Sequence, residues 1–300
     1  MRILCFIFIC LLALNITKTA SAAGAIEQDF NYQGHERNYT IFIPRKLLNT
    51  QKKYPAIFVL HGGGGTAKNA ERMTSFTQKA REEDFIVIYP NGAGRMEKLK
   101  TWNSWHCCGY ALKQKSDDIG YISSLIDHVT ATAPINPDKI FITGMSNGGM
   151  MTHRIGVELS DKIAGIAPVV AGLFVDTPTP AGSVPTLIIN GFLDESFPMK
   201  GGQTNGRFKN SWDGTNLLPV KAQSKFWAIQ NQCQKRPQTV TTETYWHIKY
   251  QCPQGQDVEH YILKDNGHAW PGGKKGSSLG DTPTTSMDAT DVIWDFFKKL

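Results

Sequence analysis

A chain of 300 residues with 41% hydrophobic composition can bury one large core and fits a single α/β domain. Its net charge of +6 is spread along the sequence, apart from short groups such as Lys98-Leu99-Lys100 and Lys274-Lys275. That pattern fits a solvated surface better than a nucleic-acid site, and beyond the first residues no stretch is long and apolar enough for a transmembrane helix.

The chain opens on a targeting segment. Arg2 supplies a short positive region, Ile3 to Leu14 an apolar stretch too short to span a bilayer, and Ala20-Ser21-Ala22 a small-residue cleavage signal. Residues 1–22 are thus predicted to be a signal peptide and residues 23–300 one catalytic domain. Neither Cys5 nor Cys10 has the small residues before it that a lipid-attachment cysteine needs, so a soluble exported protein is expected, extracellular or periplasmic, with an uncleaved anchor as the competing reading.

Short apolar runs then alternate with helical patterns, the signature of a mostly parallel sheet covered on both faces. Strands are expected at Tyr39 to Ile43, Ala56 to Leu60, Phe85 to Tyr89, Ile140 to Thr143, Ile163 to Val169, Thr186 to Asn190 and Val258 to Leu263. Helices fit Asn69 to Glu83, Ile119 to Thr132, Gly148 to Leu159, Val220 to Gln232 and the amphipathic Ser286 to Lys299. Two insert-like stretches, Asn91 to Lys115 and Glu195 to Leu218, follow the C-terminal ends of predicted strands, the edge at which open α/β sheets bind ligands.

His61-Gly62-Gly63-Gly64-Gly65 follows the strand Ala56 to Leu60. Glycines there let backbone N–H groups approach a carbonyl oxygen, which makes Gly63 and Gly64 candidates for an oxyanion hole. The same run loosely matches a dinucleotide fingerprint, Gly62-x-Gly64-x-x-Ala67, but the next strand ends Tyr89-Pro90-Asn91 and lacks the acid that would hold a ribose. A phosphate loop fails as well, since Lys68 is not followed by Ser or Thr.

Gly144-Met145-Ser146-Asn147-Gly148 lies between the strand Ile140 to Thr143 and a helix. A serine hydroxyl attacks well only if it stands clear of the backbone on a tight strand-to-helix turn, and the small residues at 144 and 148 admit that geometry. Ser146 is therefore the candidate nucleophile, and the N–H of Asn147 the second oxyanion donor. Asp194, just past the strand Thr186 to Asn190, is placed to accept an imidazole N–H, with Glu195 as fallback. His268, in Asn266-Gly267-His268-Ala269-Trp270-Pro271, follows the last strand and completes the order Ser, Asp, His. His61 and His106 are read as shaping loops.

Export leaves four cysteines and three possible pairings. A bridge between Cys233, at a helix end, and Cys252, at the end of the strand-like run Thr239 to Tyr250, staples a helix to a hairpin and is favoured. Adjacent Cys107 and Cys108 then close an eight-membered ring or stay as thiols. Zinc is not expected, for no second C-x-x-C exists and His106 lacks tetrahedral spacing.

His61-Gly-Gly-Gly-Gly65, Trp102-Asn103 followed by Cys107-Cys108-Gly109, Asp117-Asp118-Ile119-Gly120-Tyr121, Gly144-Met-Ser-Asn-Gly148 and Gly267-His-Ala-Trp-Pro-Gly272 together resemble the secreted polyhydroxybutyrate depolymerase and feruloyl esterase type of α/β hydrolase. The resemblance runs from about Gly34 to Trp270. It implies an α/β-hydrolase fold, Ser146, Asp194 and His268 as a triad, Cys233 with Cys252 as a disulfide, and a structural role for Asp118 and Gly120 at a helix start.

Two departures weaken a polymer substrate: glycines replace the cysteine that many depolymerases carry after the His-Gly, and Asn190 stands where relatives often have histidine. The expected activity is a secreted serine carboxylesterase, without metal or organic cofactor, on feruloyl-type, aryl or short hydroxyacid esters, with polymer depolymerisation as the alternative. A non-catalytic binding protein or a peptidase on the same scaffold ranks behind both. Trp102, Trp105, Phe197, Trp212 and Trp270 are the expected substrate-binding aromatics, and no nucleic-acid partner or stable membrane anchor is expected.

Overall fold

The computed structural model describes residues 24–48, 50–204 and 209–300. The expected leader lies outside them. Their elements in chain order are β1 (Ile26–Tyr32), β2 (His35–Phe42), β3 (Tyr54–Leu60), α1 (Ala67–Thr74), α2 (Phe76–Glu82), β4 (Ile86–Pro90), α3 (Gly109–Lys113), α4 (Asp118–Thr132), β5 (Ile135–Met145), α5 (Asn147–Glu158), β6 (Gly165–Val169), β7 (Thr186–Gly191), α6 (Val220–Gln230), β8 (Gln238–Thr241), β9 (Tyr245–Tyr250), β10 (Val258–Leu263) and α7 (Ala289–Phe297).

All the strands join one sheet in the order β1-β2-β4-β3-β5-β6-β7-β10-β9-β8. The six central strands from β4 to β10 run parallel, and antiparallel hairpins close both edges. Because side chains alternate along a strand, a continuously apolar strand feeds two cores. On β3, Ala56, Phe58 and Leu60 join the core beneath α4, α5 and α6, while Ile57 and Val59 join the one beneath α1, α2 and α7. Tyr121, Ile155 and Trp227 fill the first; Phe76, Phe85 and Phe297 fill the second.

The predicted helix Asn69 to Glu83 is two helices, broken at Ser75, whose φ of 60° is left-handed and both ends α1 and starts α2. Apolar periodicity runs through the break and hides it. The last helix starts later than Ser286 because Asp288 caps it, accepting from Thr290 N at 2.8 Å and Asp291 N at 3.2 Å; such a cap is worth about 1 kcal/mol. β1 was missed by sequence reasoning because most of its residues are exposed, leaving no alternation to read. The turn Gln33-Gly34, both with positive φ, was the available signal.

Cysteines pair as Cys107 with Cys108 and Cys233 with Cys252, the latter joining the segment after α6 to the end of the β8–β9 hairpin. At the start of α4 the cap is Asp117, which accepts from Gly120 N at 3.0 Å. Asp118 instead accepts from Asn103 N at 2.8 Å and pairs with Arg37, tying β2 to the loop that follows β4. No helix among the described residues is long and apolar enough to cross a membrane.

Candidate active site

The parallel strands β5, β7 and β10 end at the same edge of the sheet, β6 lying between the first two, and the loops after them carry Ser146, Asp194 and His268 to one place. Ser146 occupies the turn between β5 and α5 with φ 58° and ψ −123°, a left-handed conformation that a side chain tolerates only under constraint. The constraint is visible: Ser146 N donates to Val169 O at 3.0 Å, and a Cβ at Gly148 would meet the carbonyl oxygens of Leu60 and His61 at 2.5 Å. Glycine at 148 is what lets α5 leave the turn so close to β3.

His268 Nε2 stands 2.9 Å from Ser146 Oγ, and its Nδ1 stands 2.9 Å from Asp194 Oδ2. Asp194 is almost fully buried, and its other oxygen, Oδ1, accepts from Ser196 N at 2.8 Å and Phe197 N at 3.2 Å. Those N–H bonds fix the carboxylate and leave Oδ2 to the imidazole. Glu195, the fallback acid, is exposed on the cleft wall and takes no part in this line.

The cleft above Ser146 has a volume of about 930 Å³ and is walled by the glycine loop Gly62 to Gly65 on one side. The expected oxyanion donors separate here. Gly64 N donates to Lys100 O at 2.8 Å and Gly65 N to Gly62 O at 3.0 Å, so the N–H of Gly64 is already committed and the expectation placed on it is corrected. The N–H groups of Gly63 and Asn147 have no acceptor among the described residues. They flank the site: a Cβ on Gly63 would lie 3.6 Å from Asn147 Cβ.

None of the five expected aromatics lines this cleft. Trp102 and Trp270 are fully buried, Trp102 donating to His61 O at 3.0 Å and Trp270 to Thr290 Oγ1 at 3.1 Å. Phe197 is also buried and supports the triad from behind, its ring centroid 5.5 Å from that of His268. Trp105 donates to Glu158 at 2.9 Å, and Trp212 lines a separate depression of about 200 Å³ with Thr215. Tryptophan satisfies both a core and a binding cleft, and its neighbours in sequence do not distinguish the two. The apolar part of the cleft wall is aliphatic instead, with Met73, Leu99, Met145, Leu193 and Leu279 set among polar and charged residues such as Asn69, Lys98, Glu195 and Asp281.

Sequence reasoning missed Asp281, which lines the cleft and whose Oδ2 accepts the backbone N–H of His268 at 2.6 Å. No motif surrounds it; Gly267, which leaves room for it, was the available signal. Burial holds three other histidines neutral, lowering His61 to about 4 and His153 and His260 to about 3. Among the described residues no three His, Cys, Asp or Glu side chains converge as a metal site requires.

Residues 47–212 match the family model described as phospholipase/carboxylesterase. Among curated proteins, feruloyl esterase B of Piromyces equi is 28% identical over 257 residues, covering 83% of this chain and 42% of that protein. Poly(3-hydroxybutyrate) depolymerase of Ralstonia pickettii is 24% identical over 335 residues, covering 98% of this chain and 65% of that protein. The chain thus spans from about two fifths to just under two thirds of these relatives. In structure, the acetyl xylan esterase from Aspergillus awamori aligns over 92% of this chain and 100% of its own, with a TM-score of 0.62 and 14% identity, which establishes the shared fold.

Proposed function

The chain belongs to the phospholipase/carboxylesterase family of α/β hydrolases, and on that premise we propose that it is a serine carboxylic-ester hydrolase working through an acyl-enzyme. The observation that carries the reading is the unbroken line of 2.9 Å contacts from Ser146 Oγ through His268 to Asp194. Ser146 Oγ attacks the ester carbonyl carbon, its proton passes to His268 Nε2, and the carbonyl electron pair becomes an oxyanion held by the N–H groups of Gly63 and Asn147. Collapse expels the alcohol, which takes the proton from His268. Water then enters, gives its proton to His268 Nε2 and attacks the acyl carbon; collapse breaks the bond to Ser146 Oγ, which takes the proton back from His268 as the acid leaves. Asp194 holds the tautomer with hydrogen on Nδ1, so that Nε2 is free as base.

The apolar part of the cleft wall favours some of the esters the sequence admits over others. Met73, Leu99 and Met145 offer apolar contact without a ring to stack on, so the preferred acyl group is a short aliphatic or hydroxyaliphatic one, ahead of a hydroxycinnamoyl group. The paired cysteines fit an oxidising compartment, in keeping with the exported protein that the leader-like start implies. The test is an ester panel with wild type and Ser146→Ala. Turnover of butyrate and hydroxybutyrate esters above feruloyl esters, abolished in the variant, supports the reading; turnover surviving in Ser146→Ala sinks it.

A further inference from the structure

Trp102, His61 and the side chain of Asn147 form one hydrogen-bonded unit beside the cleft, and none of the three side chains enters the chemistry above. The Asn147 amide pairs with the backbone of Trp102 in both directions, Oδ1 accepting from Trp102 N at 2.7 Å and Nδ2 donating to Trp102 O at 2.9 Å. Nδ2 also reaches Ser104 Oγ at 3.1 Å. On its other side Trp102 donates its indole N–H to His61 O at 3.0 Å, with the two rings 5.0 Å apart. One tryptophan therefore joins the residue after the nucleophile to the residue that begins the glycine loop.

His61 carries the connection into that loop. Gly92 N donates to His61 Nε2 at 3.0 Å, which requires a lone pair there and places the ring hydrogen on Nδ1. Nδ1–H then donates to Gly62 O at 2.8 Å, and Gly65 N donates to the same oxygen at 3.0 Å. In a trans peptide the C=O of one residue and the N–H of the next point in opposite directions. Fixing the Gly62 carbonyl from two sides thus fixes the Gly63 N–H as well, turned away from His61 and free of any acceptor among the described residues.

We propose that Trp102 braces the oxyanion hole: it sets the spacing between the Gly63 and Asn147 N–H groups by binding His61 on one side and the Asn147 amide on the other. An oxyanion hole works because its donors are already in place when charge develops, and such sites hold their geometry to within about 0.5 Å. The two donors come from loops after different strands, β3 and β5, and nothing in the glycine loop alone would keep them in register. The side chains of Trp102, Asn147 and His61 act here by positioning: all three are buried, and only the backbone N–H of Asn147 meets the substrate.

The inference rests on the esterase reading, so its test separates the two. Trp102→Phe removes the indole N–H and keeps an aromatic ring, Asn147→Ala removes the amide and keeps the backbone donor, and His61→Asn keeps a donor near the Nδ1 position where His61→Leu does not. Kinetics on p-nitrophenyl butyrate are read together with inhibition by butylboronic acid, which forms a tetrahedral adduct on the serine oxygen.

Trp102→Phe, Asn147→Ala and His61→Leu are expected to lower kcat roughly 10- to 100-fold with KM within about twofold, and to weaken the boronate by the same factor. His61→Asn recovers most of the loss. A merely structural role lowers Tm and the yield of active protein but leaves the kcat of titrated sites and the boronate affinity alone. If the wild type turns over and these variants match it in both, the brace is wrong. A wild type that neither hydrolyses the panel nor reacts with an alkyl fluorophosphonate overturns the esterase reading beneath it. Should Trp102→Phe fail to fold, Asn147→Ala decides the matter.

Discussion

Asp281 Oδ2 accepts the backbone N–H of His268 at 2.6 Å, from an irregular stretch that also lines the cleft. The imidazole is thus aimed from two sides, by Asp194 at Nδ1 and by Asp281 at its own peptide. A Cβ on Gly267 would collide with the same oxygen, so glycine there and aspartate at 281 belong together.

Replacing Asp281 by Ala is therefore expected to lower kcat about tenfold, since a base displaced by a fraction of an ångström no longer meets the serine proton well. Asp281→Asn keeps an accepting oxygen and should stay within about threefold of wild type. Steady-state kinetics on a short ester check both. Equal losses in the two variants would mean that the charge of Asp281, and not its hydrogen bond, matters.

Asp194→Asn should leave the fold in place and reduce kcat by about 10⁴-fold. The carboxylate requires hydrogen on His268 Nδ1, whereas an amide can present its own N–H there and drive the hydrogen to Nε2, facing Ser146. The Ser196 and Phe197 N–H groups hold Oδ1 and leave the remaining position to meet the imidazole. Activity within about tenfold of wild type would reassign the acid.

What the sequence made legible was whatever a short motif must do by itself. A strand, a glycine-flanked serine and a helix follow one another without a gap, so the turn at Ser146 was readable from its neighbours alone. The same holds for the strand ends that place Asp194 and His268. The roles of Trp102 and Trp270 were not legible, because a tryptophan beside a predicted cleft and a tryptophan under it carry the same local pattern. Asp281 lies in an irregular loop whose only relation to His268 is spatial. Ser75 was invisible for the opposite reason, the helical periodicity being strong enough to run over a left-handed residue.

The bridge between Cys233 and Cys252, at a sequence separation of 19, closes a loop whose removal costs about 3 kcal/mol on the chain-entropy account. A double replacement by Ser should lower the urea midpoint accordingly while leaving kcat near wild type, for both cysteines lie at the β8–β9 edge of the sheet and away from Ser146. Loss of kcat without loss of stability would tie that edge to the site.

Acid should destabilise the fold before its carboxylates titrate, on account of His61, His153 and His260. Burial is the first cause in each case, lowering their pKa from 6.5 to about 4, about 3 and about 3. Each also serves as an acceptor in its neutral form: His61 from Gly92 N, His153 from Trp227 Nε1 at 3.1 Å, and His260, through Nδ1, from Ser224 Oγ at 3.2 Å. In the unfolded chain these imidazoles take up protons below about pH 6.5, and in the folded chain they do not until pH falls to the lowered values. The unfolded state thus binds more protons across this window, so stability rises with pH. The contribution is complete above pH 6.5 and is lost progressively as pH falls toward 4 for His61 and 3 for the other two. Each histidine approaches about 1.4 kcal/mol per pH unit within the window. Glu259 titrates later: despite burial, hydrogen bonds from His247 and Lys249 lower it from 4.5 to about 2. Urea unfolding at pH 7.5, 6.0 and 5.0 should therefore show a steep loss of stability, and His153→Gln should shallow that slope by about one proton's worth. A midpoint that stays constant from pH 7.5 to 5.0, in wild type and variant alike, would contradict the neutral, buried state assigned to these three side chains.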